Sequence, residues 1–330
     1  MQIGLIDVDS HNFPNLALMK ISAYHKAKGD SVEWCIPLKH YDVVYTSKVF
    51  GDEYTYLDPT IIQADKIIEG GTGFAISVVD GKEVYTKSND TELPDEIEHS
   101  FPDYSLYPEH TKDTAYGFLT RGCPNNCSFC IVSKKEGRAS RKVADLREFW
   151  DGQKNIKLLD PNILACPDHI DLLVQLLKSG AWVDFTQGLD ARFINEENVK
   201  LLSSLKMKMV HFAFDFMKNE KNIIKGLALA KEHIQLDERN SVVYMLTNYD
   251  TSIKEDLYRV KRLKEVGYMP DVRIYRKTSL PQRHILRDLQ RWCNNRMLYK
   301  SCDFFDYVPR TDGIPIREFY KEVLQDCEVI

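Results

Sequence analysis

Three cysteines stand within eight residues, in the run Cys123-Pro124-Asn125-Asn126-Cys127-Ser128-Phe129-Cys130, a C-x3-C-x2-C spacing. Thiolates this close in sequence can face one soft metal centre. A cubane iron–sulfur cluster has four irons that each need an outer ligand, so three protein thiolates leave one iron open to a substrate or cofactor. A structural zinc ion takes four protein ligands and leaves no vacancy, so it would need a fourth donor from elsewhere in the chain. Gly122 and Pro124 favour a tight loop over a helix. Further polar groups lie in two later segments, Asp160-Pro161-Asn162 and Gln187-Gly188-Leu189-Asp190-Ala191-Arg192. The planar fork of Arg192 suits a carboxylate. A plainer reading makes that segment a capping loop, with Asn195 and Glu196 as the cap and Arg192 paired to a neighbouring acid. Cys166 is a candidate thiol or hydrogen-atom donor, or simply a small buried residue. Cys293, Cys302 and Cys327 are widely spaced and lack the close pair usual in iron–sulfur ligand sets. Cys35, next to Trp34 in an expected strand, reads as core.

The elements that must hold these residues fall into two alternating series. Ile3–Val8 is a short apolar, β-branched run that reads as a buried strand. Pro14 opens a helical stretch that Gly29 stops after Lys28. Ser31–Ile36, Asp42–Thr46 and Lys66–Ile68 read as further strands, and Gly70-Gly71 as a turn. Together they make a small Rossmann-like α/β domain over residues 1–76. Residues 77–113 are acidic and proline-containing, and read as a linker. A second series of strands follows at Ala115–Thr120, Asn155–Asp160, Trp182–Gln187, Met209–Asp215, Val242–Thr247 and Val272–Tyr275. Helices are expected between them at Val143–Trp150, Ile170–Ser179, Glu196–Leu205, Lys221–His233 and Ser252–Val266. Helices separating strands by short links imply parallel βαβ units. The series predicts a partial (β/α)6 TIM-like barrel over residues 114–280, with the cysteines after its first strand, where barrel active sites sit. Residues 281–330 form a basic extension with a helix at His284–Trp292.

The 330 residues are 43% hydrophobic and 28% charged, an ordinary globular composition that argues against disorder, collagen and coiled coil. No apolar run reaches the length of a membrane span, and the first residues do not read as a signal peptide, so the expectation is a cytoplasmic protein with no membrane partner. Its eight cysteines are then expected as thiols rather than disulfides. A net charge of −5 excludes a strongly basic nucleic-acid binder by total charge alone. The distribution is uneven: 14 acids against 3 bases over residues 51–110, and 12 bases against 3 acids over 257–300. Arg283, Arg287 and Arg291 recur every four residues and would form a ridge on one helix face. That ridge is either a solvated face or a grip for phosphates, which keeps a nucleic-acid partner open.

The segment Thr120-Arg121-Gly122-Cys123 through Cys130 resembles the signature of the radical S-adenosylmethionine enzymes, and the resemblance extends over most of the chain. It implies that Cys123, Cys127 and Cys130 hold a 4Fe-4S cluster whose open iron is chelated by S-adenosylmethionine. It places Phe129 near the adenine, and makes Asp160, Gln187, Asp190 and Arg192 candidate cofactor contacts. Reductive cleavage would give methionine and a 5′-deoxyadenosyl radical that abstracts hydrogen from an unidentified substrate, with flavodoxin or ferredoxin as electron donor. The alternatives are a radical methyltransferase or methylthiotransferase acting on RNA or a small molecule, and a non-enzymatic zinc or electron-transfer protein. Residues 102–108, PDYSLYP, resemble the approach segment of members with a cobalamin-binding-type domain. The loop Asp9-Ser10-His11-Asn12-Phe13-Pro14 resembles a D-x-H-x-x-G cobalt-binding loop with Pro14 in place of glycine. Thr46-Ser47-Lys48 and Gly70-Gly71 stand where that fold has its other ligand-facing turns. Pro14 and a domain of about 75 residues make cobalamin the less favoured reading.

Overall fold

The computed structural model describes residues 1–10, 13–51, 55, 57–79, 82–310 and 313–325. It is an α/β structure with parallel sheets, and it divides into two compact units, Met1–Asp160 and Pro161–Ile330. The division falls inside the segment expected as one barrel.

In the first unit, β1 (Gln2–Asp7), β2 (Ser31–Trp34), β3 (His40–Ser47) and β4 (Gln63–Gly70) form a parallel sheet in the order β2-β1-β3-β4. Ile3 pairs with Val32 on one side and Val43 on the other. The helix Leu16–Ala27 lays Leu18 and Ile21 on Ile3, Leu5 and Val43 to make the core of this layer. The helix begins after Pro14 because Asn15 is its cap. The Asn15 side-chain oxygen accepts from Leu18 N at 3.2 Å, and its amide donates to Ser47 Oγ at 2.8 Å, which fixes the helix start to the end of β3.

The expected linker is more ordered than its composition suggests. It contains an antiparallel hairpin, β5 (Ile76–Val79) with β6 (Lys82–Tyr85), and then short helical turns. Two tyrosines make its far end a strap: Tyr107 donates to Asp7 at the end of β1 at 2.6 Å, and Tyr104 donates to Phe149 O at 2.5 Å. Next come β7 (Thr114–Gly117), the two-residue strands β8 (Thr120–Arg121) and β9 (Arg141–Lys142), and β10 (Asn155–Leu158). β7 and β10 pair in parallel, and β8 and β9 antiparallel. The helix expected over Val143–Trp150 is not formed. The chain makes one 3-10 turn, Leu146–Glu148, closed by a capping box between Asp145 and Glu148. That single turn is enough to bury Leu146 and Phe149, and the Phe149 ring takes the space beside Gly117, where a Cβ would lie 2.3 Å from it.

The second unit carries β11 (Trp182–Phe185), β12 (Val210–Ala213), β13 (Ser241–Thr247) and β14 (Met269–Ile274). The last three form a parallel sheet in that order. All six strands expected of the barrel are therefore present, two in the first unit and four in the second. Helices His169–Ser179, Asn198–Ser204, Glu220–His233 and Ile253–Glu265 alternate with them. One face of the sheet is apolar: Met245 and Val272 pack with Leu257 and Val260 of the helix Ile253–Glu265 and with Leu286, Leu289 and Trp292 of the helix Ile285–Cys293. Among the described residues, no helix is long and apolar enough to cross a membrane.

Arg259 is fully buried, with 0% exposure. Its guanidinium donates to Phe214 O at 2.6 Å, Asp215 O at 2.9 Å, Leu246 O at 2.8 Å and Asp256 Oδ1 at 2.5 Å. The rigid fork thus gathers carbonyls from the ends of β12 and β13 that no neighbouring strand satisfies. Removing the cation would strand the buried Asp256 carboxylate. Arg259→Leu should cost about 3–5 kcal/mol of stability, the scale of a broken buried ion pair. Urea unfolding of the two proteins measures it, and a loss below about 1 kcal/mol would contradict this role.

Candidate functional site

The cysteines lie on an excursion between β8 and β9, and the two-residue ladder pins its ends: Thr120 opposite Lys142, Arg121 opposite Arg141. Gly122 turns the chain with φ +90°, and a Cβ there would sit 2.1 Å from Ala139 O, so only glycine fits. Cys123 N donates to Gly137 O at 3.2 Å. Glu136 accepts from Arg121 Nη1 at 2.9 Å and from Gly122 N at 3.0 Å, and the Arg121 guanidinium lies 3.6 Å from the centre of the Phe118 ring. Further out, Asn126 takes a left-handed conformation with φ +44°, its side-chain oxygen accepts from Ser133 Oγ at 3.0 Å, and Cys130 N donates to Cys127 O at 3.0 Å. Cys123, Cys127, Cys130 and Phe129 are all half-buried. The loop therefore has a fixed base and carries its thiols near the surface. Among the described residues, no three His, Cys, Asp or Glu side chains converge as ligands of a single metal ion. Thiolates bound to different irons of one cluster need no such common point.

Asp160 has a different part from the one expected. Its carboxylate is 4% exposed and accepts from Leu119 N, from Thr120 N at 2.5 Å and from Thr120 Oγ1 at 2.6 Å. It holds the chain that leads into the cysteine loop, and its acceptor oxygens are turned to that backbone rather than outward. Burial pushes the carboxyl up to about 6 from its ordinary 3.8, against the pull of these donors.

In the second unit, Gly188 turns the chain after β11 with φ +83°, and Leu189 N docks on His211 O at 2.7 Å. The helix Glu220–His233 approaches so closely at Gly226 that a Cβ would lie 1.8 Å from Ala191 O. Arg192 forms a bidentate pair with Asp190, Nε to Oδ1 at 2.7 Å and Nη2 to Oδ2 at 2.8 Å. Asn162 also donates to Asp190, at 2.8 Å. The plainer reading of Arg192, a pair with a neighbouring acid, describes the structure. Gln187 is exposed beside this cluster. Cys166 is 1% exposed and sits in the core, so it is not presented as a surface donor.

The N-terminal features are arranged differently from a ligand-binding cleft. Gly71, at φ +93°, has Lys48 O only 2.3 Å from where its Cβ would be, and Gly73 has Phe50 O at 2.2 Å. The chain's own 48–50 backbone thus fills the approach that the Gly70-Gly71 turn was expected to leave open. Asp9 is buried and accepts from Val49 N at 2.7 Å and Phe50 N at 2.9 Å, which holds that backbone there. His11 lies outside the described residues, as does Cys327. Cys293 is buried, and burial pushes its thiol well above the usual range. Cys302 is half-buried. Cys35 is half-buried rather than core.

The arginine ridge is largely absorbed by its own unit. Arg283 pairs with Asp288 at 2.9 Å and lies 4.1 Å from the Phe319 ring centre. Arg287 donates to Lys277 O at 2.8 Å and Leu280 O at 3.0 Å, and Arg291 remains exposed. Sequence reading missed Glu136 and Arg259. Glu136 carries no motif, and its contact with Gly122 closes across a loop. A single arginine inside the amphipathic pattern of Ile253–Glu265, one turn after Asp256, was the available signal for Arg259.

No family model matches the chain. Among curated proteins, a tRNA-2-methylthio-N(6)-dimethylallyladenosine synthase from Sulfurihydrogenibium sp. (strain YO3AOP1) is 30% identical over 202 residues, covering 53% of this chain and 45% of that protein. The chain thus spans less than half of that relative's length.

The raised Asp160 carboxyl has a measurable consequence. The folded state holds its proton more tightly than the unfolded chain does, so the group favours folding in acid. Its contribution is complete below the unfolded value of 3.8 and is lost as pH rises through about 6. Denaturant unfolding at pH 4.5 and 7.5 should show a larger fall in stability for the wild type than for Asp160→Asn. Equal falls would remove Asp160 as the source.

Proposed function

We propose that this chain is a radical S-adenosylmethionine enzyme in which Cys123, Cys127 and Cys130 hold a 4Fe-4S cluster. The observation that carries the reading is the cysteine loop: three soft donors at C-x3-C-x2-C spacing, half-buried, on a base that only glycine at 122 allows. The similarity to a methylthio-adenosine synthase supports an enzyme of this class. The donor set fits such a cluster, since three thiolates leave one iron open. The chemistry a bound cluster supplies is one-electron reductive cleavage of S-adenosylmethionine, with flavodoxin or ferredoxin as the donor.

The chain's own residues do the positioning. Asp160 holds the backbone of Leu119 and Thr120, Glu136 holds the Gly122 amide, and Phe129, next to Cys130 in the sequence, is the ring assigned to the adenine. The six strands belong, on this reading, to a partial barrel. Asp190 and Arg192 spend their charge on each other, so no step is assigned to them. The substrate class favoured by the relative's name is RNA, with methylthiolation of an adenosine as the reaction; a methyl transfer or another hydrogen abstraction uses the same cysteines.

Anaerobically reconstituted protein should be brown with about four irons per chain, and should release 5′-deoxyadenosine from S-adenosylmethionine under reduction. Cys127→Ala should lose the cluster's absorption and at least 100-fold in cleavage rate, on the order of 3 kcal/mol. Colourless protein with one zinc per chain, or full cleavage by Cys127→Ala, would overturn the proposal.

A further inference from the structure

The first unit holds a cavity of about 710 Å³ between the helix Leu16–Ala27, the segment 90–99 and the base of the cysteine loop. That is the size of a small-molecule site, for which about 300–1,000 Å³ is usual. Leu16, Leu93, Phe118 and Val143 give it an apolar lining, and three cations share it: Lys20, Arg121 and Lys135.

The acids nearest these cations already have partners. Glu98 accepts from Lys20 Nζ at 2.9 Å, and Glu136 accepts from Arg121 Nη1 at 2.9 Å and from Gly122 N at 3.0 Å. The Asp90 side chain is 3% exposed and accepts from the Tyr85 hydroxyl at 2.6 Å. The remaining ion pairs are long. Arg121 Nη2 stands 3.5 Å from Glu98 Oε1, and Lys135 Nζ stands 4.0 Å from Asp90 Oδ2, beyond the range of a good hydrogen bond. An ammonium has three N–H donors, and among the described residues Lys135 uses one, to Thr72 Oγ1 at 2.5 Å. Burial, with the like charge of Arg121 beside it, pushes both Lys20 and Lys135 below the usual lysine range, against the pull of the nearby acids. The other two acids of the lining, Glu92 and Asp95, are exposed, and Glu92 pairs with Lys87.

Cations that are desolvated and short of acceptors are stabilised by an oxyanion, and charge-assisted hydrogen bonds to one are the strong kind. Inorganic phosphate would meet the donors and leave the apolar lining uncovered. An anion with an apolar body meets both. We propose that this cavity binds a small organic anion, its carboxylate or phosphate head on Lys135 and Arg121 and its apolar body along Leu93, Phe118 and Val143. The occupant shares the Arg121 guanidinium with Glu136, the brace of Gly122, so the site borders the cysteine loop without using its thiols.

The test is calorimetric titration of full-length, iron-free protein with hexanoate, hexyl phosphate and hexylamine, three probes with one apolar body and different heads. At least one anion should bind one-to-one, and hexylamine should bind about 10-fold more weakly or not at all, the scale of one charge-assisted hydrogen bond. The tighter of the two anions identifies the head group. Lys135→Met keeps the length of the side chain without its charge, and should weaken anion binding by about 10-fold or more. Ala17 is half-buried on the same lining, and Ala17→Phe should fill the cavity from the helix side and abolish binding while the circular dichroism spectrum is unchanged. Absence of binding by both anions at millimolar concentration, equal affinity for hexylamine, or wild-type affinity in folded Lys135→Met would overturn the proposal. Because the protein is iron-free, each of these results bears on the cavity alone and leaves the cluster to its own test.

Discussion

A carboxylate with almost no water around it must be surrounded by donors, and Asp160 finds its donors in the two residues that lead into the cysteine loop. This one constraint couples a residue just past β10 to the start of the cysteine loop. Thr120 is held through both its amide and its hydroxyl, so β8 cannot shift without leaving a buried charge unsatisfied. Everything further along the loop is built on that anchor: the ladder with β9, the turn at Gly122 and the Glu136 brace.

The second unit solves the matching problem with the opposite charge. Parallel strands end in carbonyls as well as amides, and Arg259 collects carbonyls from Phe214, Asp215 and Leu246 as Asp160 collects amides. Both groups are buried and ionisable: Asp160 follows β10, and Arg259 reaches from the middle of the helix Ile253–Glu265 to the ends of β12 and β13. Fixed strand ends give loops a defined place to start, and the cysteines stand on such a loop.

Much of this was legible in the residues. Periodicity located the strands at Ile3, Asn155, Trp182 and Val242 and the helices at Ile170, Lys221 and Ser252 to within a few positions, because each buries a continuous apolar face. The cysteine spacing was local and therefore readable. What was not readable was closed across long separations. Val143–Trp150 looked helical because Leu146 and Phe149 are spaced for one face, yet one turn buries both. Asp160 looked available to a cofactor because nothing in its neighbourhood reveals that residues 119 and 120 reach it. The Gly70-Gly71 turn looked open because the backbone that fills it comes from residues 48–50. The Arg192 pair was readable as an alternative, since its partner lies two residues away.

The ladder of β8 and β9 has an effect beyond holding the cysteines up. By joining the ends of the segment between residues 122 and 140, it meets the entropic requirement of loop closure before any ligand arrives. Rearrangement inside the segment then need not pull on β7 or β10. The closed segment is tied to the rest of the first unit through Lys135, whose ammonium donates to Thr72 and whose carbonyl accepts from Lys87, so a ligand at the cysteines meets a loop already joined at its base.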